Sequence, residues 1–277
     1  MKSVYALILS ALLLALLPAP RAAAQLLPVS VQVQGNTAVA TVGSPLLPLA
    51  EVILVFDGPQ NLTSSALGLT AQLLSITDPA LLARLPQALL NPLDPSFPLL
   101  LTLEPPSTGG LSFHLVRVEV HTHLLIYTPG SSYRLFKAPL GGAFLDITDE
   151  VAPGSVRARG TTGGFSQFLI LADLRSSSVV VADKISRLRS RVNTLVLSER
   201  PAFLVELDQA EAAVALGQYA TAIAAVDRFR TRAETRAGQH LPDLWRAARD
   251  LDNQAGDLIS GAATLRFSIA YLRDYGP

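Results

Sequence analysis

The amino-acid sequence predicts an α+β protein of two domains, an N-terminal all-β sandwich followed by a C-terminal antiparallel helical bundle. Three observations lead to this prediction. Up to about residue 174, short apolar runs alternate with polar residues at the period of two that is typical of half-buried strands. Near Arg175-Ser176-Ser177-Ser178 the period changes to about 3.6, and Ala, Arg, Leu and Glu take over. An export signal precedes both, so the predicted segments are 1–24, 25–175 and 176–277.

The first segment has the features of a cleaved signal peptide. Lys2 supplies a basic start, residues 4–17 form an apolar run in which Ser10 is the one small polar residue, and a Pro-Ala-Pro break follows. This run is shorter than the roughly 20 apolar residues of a membrane span. The segment as a whole ends at Ala22-Ala23-Ala24, and signal peptidase requires small residues of this kind before its cleavage site. Cleavage is predicted after Ala24, which makes the mature chain secreted or periplasmic.

Composition narrows the function classes. The 22 basic and 22 acidic side chains leave the chain formally neutral, so no nucleic-acid partner is expected. The sequence contains no cysteine, which excludes thiol catalysis, iron–sulfur clusters, Cys-based zinc sites and a lipoprotein thiol. After the leader, no segment has the roughly 20 consecutive apolar residues of a membrane helix, so no integral membrane segment is expected in the mature chain.

The N-terminal half is predicted to form a succession of short strands. Residues 29–34 alternate, and a Gly35-Asn36 turn leads into 37–42, which predicts an opening hairpin. Residues 51–56, which are continuously apolar after Glu51, predict a central, buried strand that ends at Asp57-Gly58-Pro59. Further strands are predicted at 62–77, 97–103, 111–123, 124–127, 133–137, 144–148, 155–159 and 165–172. About nine short strands with turn signals between them are typical of a sandwich or barrel.

Helices are predicted at two places in the chain. Asp78 caps a short helix over 80–85 with Pro79 at its first position, and a Pro-rich crossover follows as far as Pro98. After the boundary, apolar stripes predict four helices, over about 185–195, 204–214, 219–233 and from 242 to 269. The short link at Gly217 forces the second and third of these into an antiparallel hairpin.

Two parts of the chain resemble known proteins. Residues 204–265 resemble FIMAH, a small helical module near the C-termini of exported bacterial proteins, in Ala222-Ile223, Phe229, Gly238 and an alanine-rich final helix. Three stretches resemble the closing strands of an uncharacterised family of exported bacterial proteins, namely 132–137, 144–148 and 163–168. The resemblance implies a β-sandwich joined to a FIMAH-like module, and it implies no activity for any residue.

The strand predicted at 111–123 carries the sharpest chemical pattern. Alternation places Glu119, His121 and His123 on one face, together with Arg117. Two imidazoles and a carboxylate at this spacing are compatible with zinc. The same pattern is also typical of the solvated polar face of an amphipathic strand.

Other candidate chemistry is weaker. Asp146, Asp149 and Glu150 cluster around a strand end, where they could hold calcium or simply keep a turn in water. Ser166 lacks the second glycine of a Gly-x-Ser-x-Gly elbow and is interpreted as a strand residue between two aromatics.

Two surfaces are candidates for partner binding. The crossover is crowded with leucines, namely Leu81, Leu82, Leu85, Leu89, Leu90 and Leu93. Left exposed they form an apolar patch of the kind that marks a binding site, and covered they plug an open end of the sandwich. Trp245, Arg246 and Arg249 share one flank of the predicted long helix, where helix packing would also explain Trp245. The residues assigned to partner binding are Leu82, Leu85, Leu89, Trp245 and Arg249.

These patterns favour an exported non-enzymatic protein, a binding, adaptor or structural component of the bacterial cell envelope, with no catalytic residue and no cofactor. The expected partner is another envelope or extracellular protein, and the oligomeric state is left open. The alternative is a metal-binding or metal-dependent exported enzyme that uses His121 and His123 with zinc or calcium. The polar, Ser-rich segment 175–178 is expected to be the first site of limited proteolysis.

Overall fold

The computed structural model describes residues 25–276, so the predicted signal peptide at 1–24 lies outside the described residues. Over this range the chain forms two antiparallel six-stranded sheets, a two-stranded ribbon and five helices. The sheets are mainly N-terminal and the long helices C-terminal, so the fold class is α+β, as predicted. Within the described residues, no helix combines the length and apolarity that crossing a bilayer requires.

The strands and helices are numbered in chain order. The strands are β1 (Gln25–Leu27), β2 (Val29–Gln34), β3 (Thr37–Ser44), β4 (Leu47–Asp57), β5 (Leu69–Leu73), β6 (Leu99–Leu103), β7 (Ser112–Phe113), β8 (Leu115–Ile126), β9 (Tyr133–Ala138), β10 (Leu145–Asp146), β11 (Thr148–Ala152), β12 (Ser155–Thr162), β13 (Gln167–Ala172) and β14 (Trp245–Arg246). The helices are α1 (Pro79–Leu82), α2 (Ser177–Val192), α3 (Arg200–Ala215), α4 (Tyr219–Arg236) and α5 (Gln254–Tyr275).

The first sheet has the strand order β1-β5-β6-β13-β9-β10, and the second has β11-β12-β8-β4-β3-β2. The predicted opening hairpin is confirmed: β2 pairs with β3 from Val29↔Val42 to Gln34↔Thr37, and Gly35 in the turn has φ +60°. Strand β4 lies between β8 and β3, so its central position is confirmed. Only one of its faces is fully buried, however, because Val55 is 41% exposed.

Alternation explains the main core. Every second side chain of β3, β4, β8 and β12 in the second sheet is buried, among them Val52, Leu54 and Val118. These side chains belong to one apolar cluster with residues of the first sheet, such as Leu101 and Phe168. The inner faces of the two sheets therefore share one core.

The crossover between β5 and β6 covers the other face of the first sheet. Helix α1 is one turn long, shorter than predicted, and Asp78 caps it through a 2.9 Å hydrogen bond from the Ala80 N–H. Leu81, Leu85 and Leu93 pack there in a separate apolar cluster. Their partners on the sheet and its connection are Leu100, Phe136, Ala138, Phe144, Leu169 and Leu171.

The four long helices share a third apolar cluster. Helix α2 begins at Ser177, where the sequence period changes, and Gly217 with φ +71° separates α3 from α4. The predicted start of the last helix is wrong, because α5 begins at Gln254 rather than near Pro242. Residues 237–253 instead return to the strands, where β14 pairs with β7.

Candidate binding cleft

A cleft of about 300 Å³ opens between the strands and the helices. Strands β9, β10 and β12 form one wall, and α2 and α5 form the other. Lys184, Leu188 and Arg191 recur on α2 at spacings of four and three residues, so they share one face. On α5, Gly261 lets the two helices approach, because a Cβ there would lie 2.6 Å from the Leu188 Cδ2. Apolar side chains line the remainder of the walls, namely Pro139, Leu145 and Ile147.

A buried ion pair closes the floor of the cleft. The Lys184 Nζ lies 2.6 Å from the Asp146 Oδ2, and both side chains are almost fully inaccessible to solvent. The same Nζ donates to the hydroxyls of Thr264 and Ser268 on α5, at 2.6 and 2.8 Å. Burial alone would raise the pKa of Asp146, but Lys184 holds it below its usual range. The pair therefore joins β10 to two helices.

Lys137 on β9 is the second lysine of the cleft. Its Nζ donates to the Thr162 Oγ1 at 2.6 Å, and among the described residues no carboxylate lies within ion-pair distance of it. Burial lowers the pKa of Lys137 to about 8, against a weaker opposing effect of Asp257. The amine is therefore an under-compensated cation that faces the cleft.

Two arginines of α2 complete the charged lining. Arg191 pairs with Asp252 and Asp257, at 2.5 and 3.0 Å. The Arg187 side chain forms no ion pair or hydrogen bond within residues 25–276, and burial lowers its pKa. The carboxylates of the cleft pair with Lys184 and Arg191. The charges of Lys137 and Arg187 therefore make the lining net positive.

The predicted metal ligands lie on β8, on the face of the second sheet away from the shared core. The rings of His121 and His123 are 4.6 Å apart between centroids. Both oxygens of Glu119 are held by arginines of β12, Arg157 and Arg159. Within the described residues, no group of three His, Asp or Glu side chains is arranged to hold a metal ion. The histidines are thus neighbours while Glu119 is committed to ion pairs, and zinc at this place stays a prediction.

The three acidic residues considered for calcium form ion pairs and hydrogen bonds with different residues. Asp146 binds Lys184 inside the protein, and the Asp149 Oδ2 accepts a 2.6 Å hydrogen bond from a threonine of β12. Glu150 pairs with Arg117 at 2.5 Å and with an arginine of β12. These carboxylates therefore act as ion-pair and hydrogen-bond partners in the structure, and calcium stays a prediction.

The crossover leucines assigned to partner binding divide by exposure. Leu85 is 7% exposed and Leu82 is half-buried, and both pack in the cluster on the first sheet. Leu89 is 92% exposed. The crossover leucines therefore mainly cover a sheet face, and only Leu89 of these three is fully presented to solvent.

Trp245 and Arg249 do not share a helix flank, contrary to the prediction. Trp245 is 8% exposed in β14 and stacks on Phe113, with 4.8 Å between ring centroids. Arg249 lies in the following loop with φ +54° and pairs with Glu104. Periodicity misassigned them because a tryptophan within an apolar stripe does not reveal which core it joins.

Apart from Asp146, which was considered for calcium, the cleft residues were missed by sequence reasoning, although one signal was present. After Lys2, the only lysines of the chain are Lys137 and Lys184, and every other basic residue is an arginine. The structure brings these two lysines to the same cleft from different halves of the chain. Their rarity could have marked them, but no spacing rule relates positions so far apart.

Comparison with known proteins places the chain in a family. The model of a family of unknown function, DUF6689, matches residues 12–273, which is nearly the whole chain. No curated protein and no solved structure matches it. The chain therefore belongs to the DUF6689 family, whose function is unknown.

Proposed function

We propose that this chain is an exported, non-enzymatic binding component of the bacterial cell envelope, and that its cleft is the binding site. One observation carries the proposal: both halves of the chain build the cleft, and the buried Lys184–Asp146 pair holds its walls together. Small-molecule sites are typically concave, mostly apolar and supplied with a few polar groups. The apolar wall and the few cations of this cleft have that character.

In this proposal the two sheets form the predicted sandwich, and α2–α5 form the predicted bundle, a FIMAH-like module of an exported protein. The shared core of the sheets and the separate cluster of the helices support it. The cleft then lies at the junction of sandwich and module. Such junctions are a frequent place for ligand sites. A partner protein of the envelope would bind at the same junction.

The polar groups of the cleft favour binding over catalysis. Lys184 and Asp146 satisfy each other and hold the walls. The Lys137 Nζ has a hydroxyl partner, Thr162, and within the described residues no carboxylate or imidazole lies close enough to exchange a proton with it. The cleft therefore offers charge and shape to a ligand, while the Lys184–Asp146 pair is engaged in holding the walls.

Export after Ala24 is part of the proposal. Gln25 already pairs with Leu73 in the first sheet, so cleavage before it would leave every described strand intact. N-terminal sequencing of the protein from the envelope fraction of its native host should begin at Gln25. A protein that keeps Lys2 and stays in the cytoplasm would overturn this part.

The binding proposal is tested by native mass spectrometry of the protein purified from its host. We expect an additional mass, close to one molecule per chain, that disappears on denaturation. Ser260→Phe places a ring in the cleft and should abolish it, whereas Ser190→Phe, at an exposed position of α2, should not. Equal retention in both variants would show that the molecule binds elsewhere.

A further inference from the structure

We infer that the ligand of the cleft is a small amphiphilic anion, whose carboxylate or phosphate group lies between Lys137 and Arg187 and whose apolar part packs on Leu145, Ile147 and Leu188. The inference rests on the proposed function, because it names the ligand class of the same cleft. It follows from three features of the lining: unbalanced charge, available hydrogen-bond donors and an apolar wall.

Unbalanced charge is the first feature. Lys184 is neutralised by Asp146, and Arg191 by Asp252 and Asp257. The remaining cations of the lining, Lys137 and Arg187, have no carboxylate within 4 Å among residues 25–276. A partly buried cation without a counter-charge is costly, so an anion that enters the cleft replaces a missing interaction rather than competing with an existing one.

Donors and shape are the second and third features. The Lys137 ammonium uses one donor on Thr162 and keeps two, and the Arg187 guanidinium is free to form a fork with two oxygens. Apolar side chains from both walls, Leu145, Ile147 and Leu188, line the same cleft. The volume of about 300 Å³ lies at the lower end of small-molecule sites, which suits a short chain or single ring behind one charged group.

The charge of Lys137 makes binding depend on pH. The charged groups that face it across the cleft are Asp146 on β10, Lys184, Arg187 and Arg191 on α2, and Asp257 on α5. Burial lowers the pKa of the Lys137 amine to about 8 in the free protein, and a bound anion would raise it. The affinity for a carboxylate, whose own charge is constant around neutral pH, should therefore be steady just below pH 8 and fall above it, because the anion must then bind together with a proton.

The test is calorimetric titration of the full mature chain with octanoate and hexyl phosphate at pH 7 and pH 9.5, with neutral octanamide as the matched probe. We expect both anions to bind and octanamide to bind at least about tenfold more weakly, because charge-assisted hydrogen bonds would be lost. Lys137→Met and Arg187→Met should each weaken the anions by about tenfold or more. The two anions together also distinguish a carboxylate ligand from a phosphate ligand.

Control variants keep the result interpretable. Arg189→Met removes a cation of the same helix whose partners, Asp208 and Glu211, lie outside the cleft, and it should leave affinity unchanged. Lys137→Arg keeps the charge and should retain binding, which separates loss of charge from loss of folding. Reductive ¹³C-methylation would label the two lysines of the mature chain, and the Lys137 signal should titrate near pH 8 and move when the anion is added.

The outcomes are distinguishable. Anion binding that Lys137→Met weakens and Arg189→Met spares supports the inference. Equal binding of octanoate and octanamide, blocked by Ser260→Phe, would overturn the anion class and leave the binding function standing. Failure of all three probes, together with no additional mass on the protein from its host, would overturn both.

Discussion

Lys184 and Asp146 form a buried ion pair that joins the helical half of the chain to the strands. Each is nearly inaccessible to solvent, and the Lys184 Nζ also donates to the Thr264 and Ser268 hydroxyls. Isolated charges are expensive to bury, so such a pair persists only when its remaining hydrogen-bonding groups are satisfied. That condition is met here, since the Asp146 Oδ1 accepts a 2.8 Å hydrogen bond from the Thr148 N–H.

Lys184→Met should lower the free energy of unfolding by about 3–5 kcal/mol, because it leaves the Asp146 carboxylate buried without its cation. Urea denaturation measures this value. Arg189→Met, on the same helix with half-exposed partners, should cost at most about 1 kcal/mol. The double variant Lys184→Met/Asp146→Leu should recover part of the loss. A single-variant loss as small as that of Arg189→Met would contradict this role.

Lys137 should make stability depend on pH in the alkaline range. Its pKa is about 8 in the folded protein against the ordinary 10.5, so the unfolded chain binds more protons between these values. Stability rises with pH wherever the unfolded state binds more protons. The free energy of unfolding of the wild type should therefore increase from pH 8 to pH 10.5 relative to that of Lys137→Met. Parallel curves for the two proteins would contradict the lowered pKa.

At the scale of elements, strands β9 and β13 show that a strand buried on both faces loses the alternation of apolar and polar residues. Strands β9 and β13 bury side chains on both sides, since one face meets the second sheet and the other meets the crossover. Phe136 and Leu169 lie on the crossover side and are 0% and 1% exposed. A short apolar run without alternation fits such a strand and also fits a buried helix, so the pattern alone does not identify its cover.

Leu85 and Leu89 form a matched pair on the crossover. Leu85→Ala should lower the free energy of unfolding by about 2–3 kcal/mol, because it leaves a cavity in the cluster on the first sheet. Leu89→Ala should change it by less than about 0.5 kcal/mol, since Leu89 is 92% exposed. Thermal or urea unfolding measures both. A similar loss in the two variants would mean that the crossover does not cover the sheet in solution.

At the scale of the whole molecule, several contacts fasten the helices to the strands. The Asn253 side chain caps α5 through a 2.8 Å bond from the Gly256 N–H and donates to the carbonyls of His114 and Gly163. The Arg134 guanidinium lies 4.2 Å from the ring centroid of Tyr271 on α5. Along α5 these contacts lie on either side of Thr264 and Ser268, the partners of Lys184, so the cleft is part of a continuous junction.

The junction should make the mature protein unfold as one cooperative unit. Arg175, in the segment expected to be cut first by proteases, is 8% exposed and pairs with Asp173 at 2.6 Å and Asp183 at 3.1 Å. We therefore expect a single calorimetric transition and no early tryptic cut after Arg175. In Lys184→Met the cut should become faster, because the junction is weakened. Two transitions in the wild type would contradict this expectation.

The sequence by itself determined the fold class, the opening hairpin, the alternating strands and the approximate place where helices begin. These features depend on local periodicity, turn residues and caps, which neighbouring residues specify among themselves. Periodicity also showed that the 185–195 and 219–233 segments would be amphipathic helices, as α2 and α4 are.

Only the tertiary structure decided which core Trp245 joins, what the crossover leucines cover and with which residues Glu119 forms ion pairs. It also brought Lys137 and Lys184 into one cleft from strand and helix. The physical reason is that burial and charge compensation are set by residues distant in sequence. A histidine pair on one strand is visible in the chain, whereas a cation without a counter-charge is visible only once its surroundings are in place.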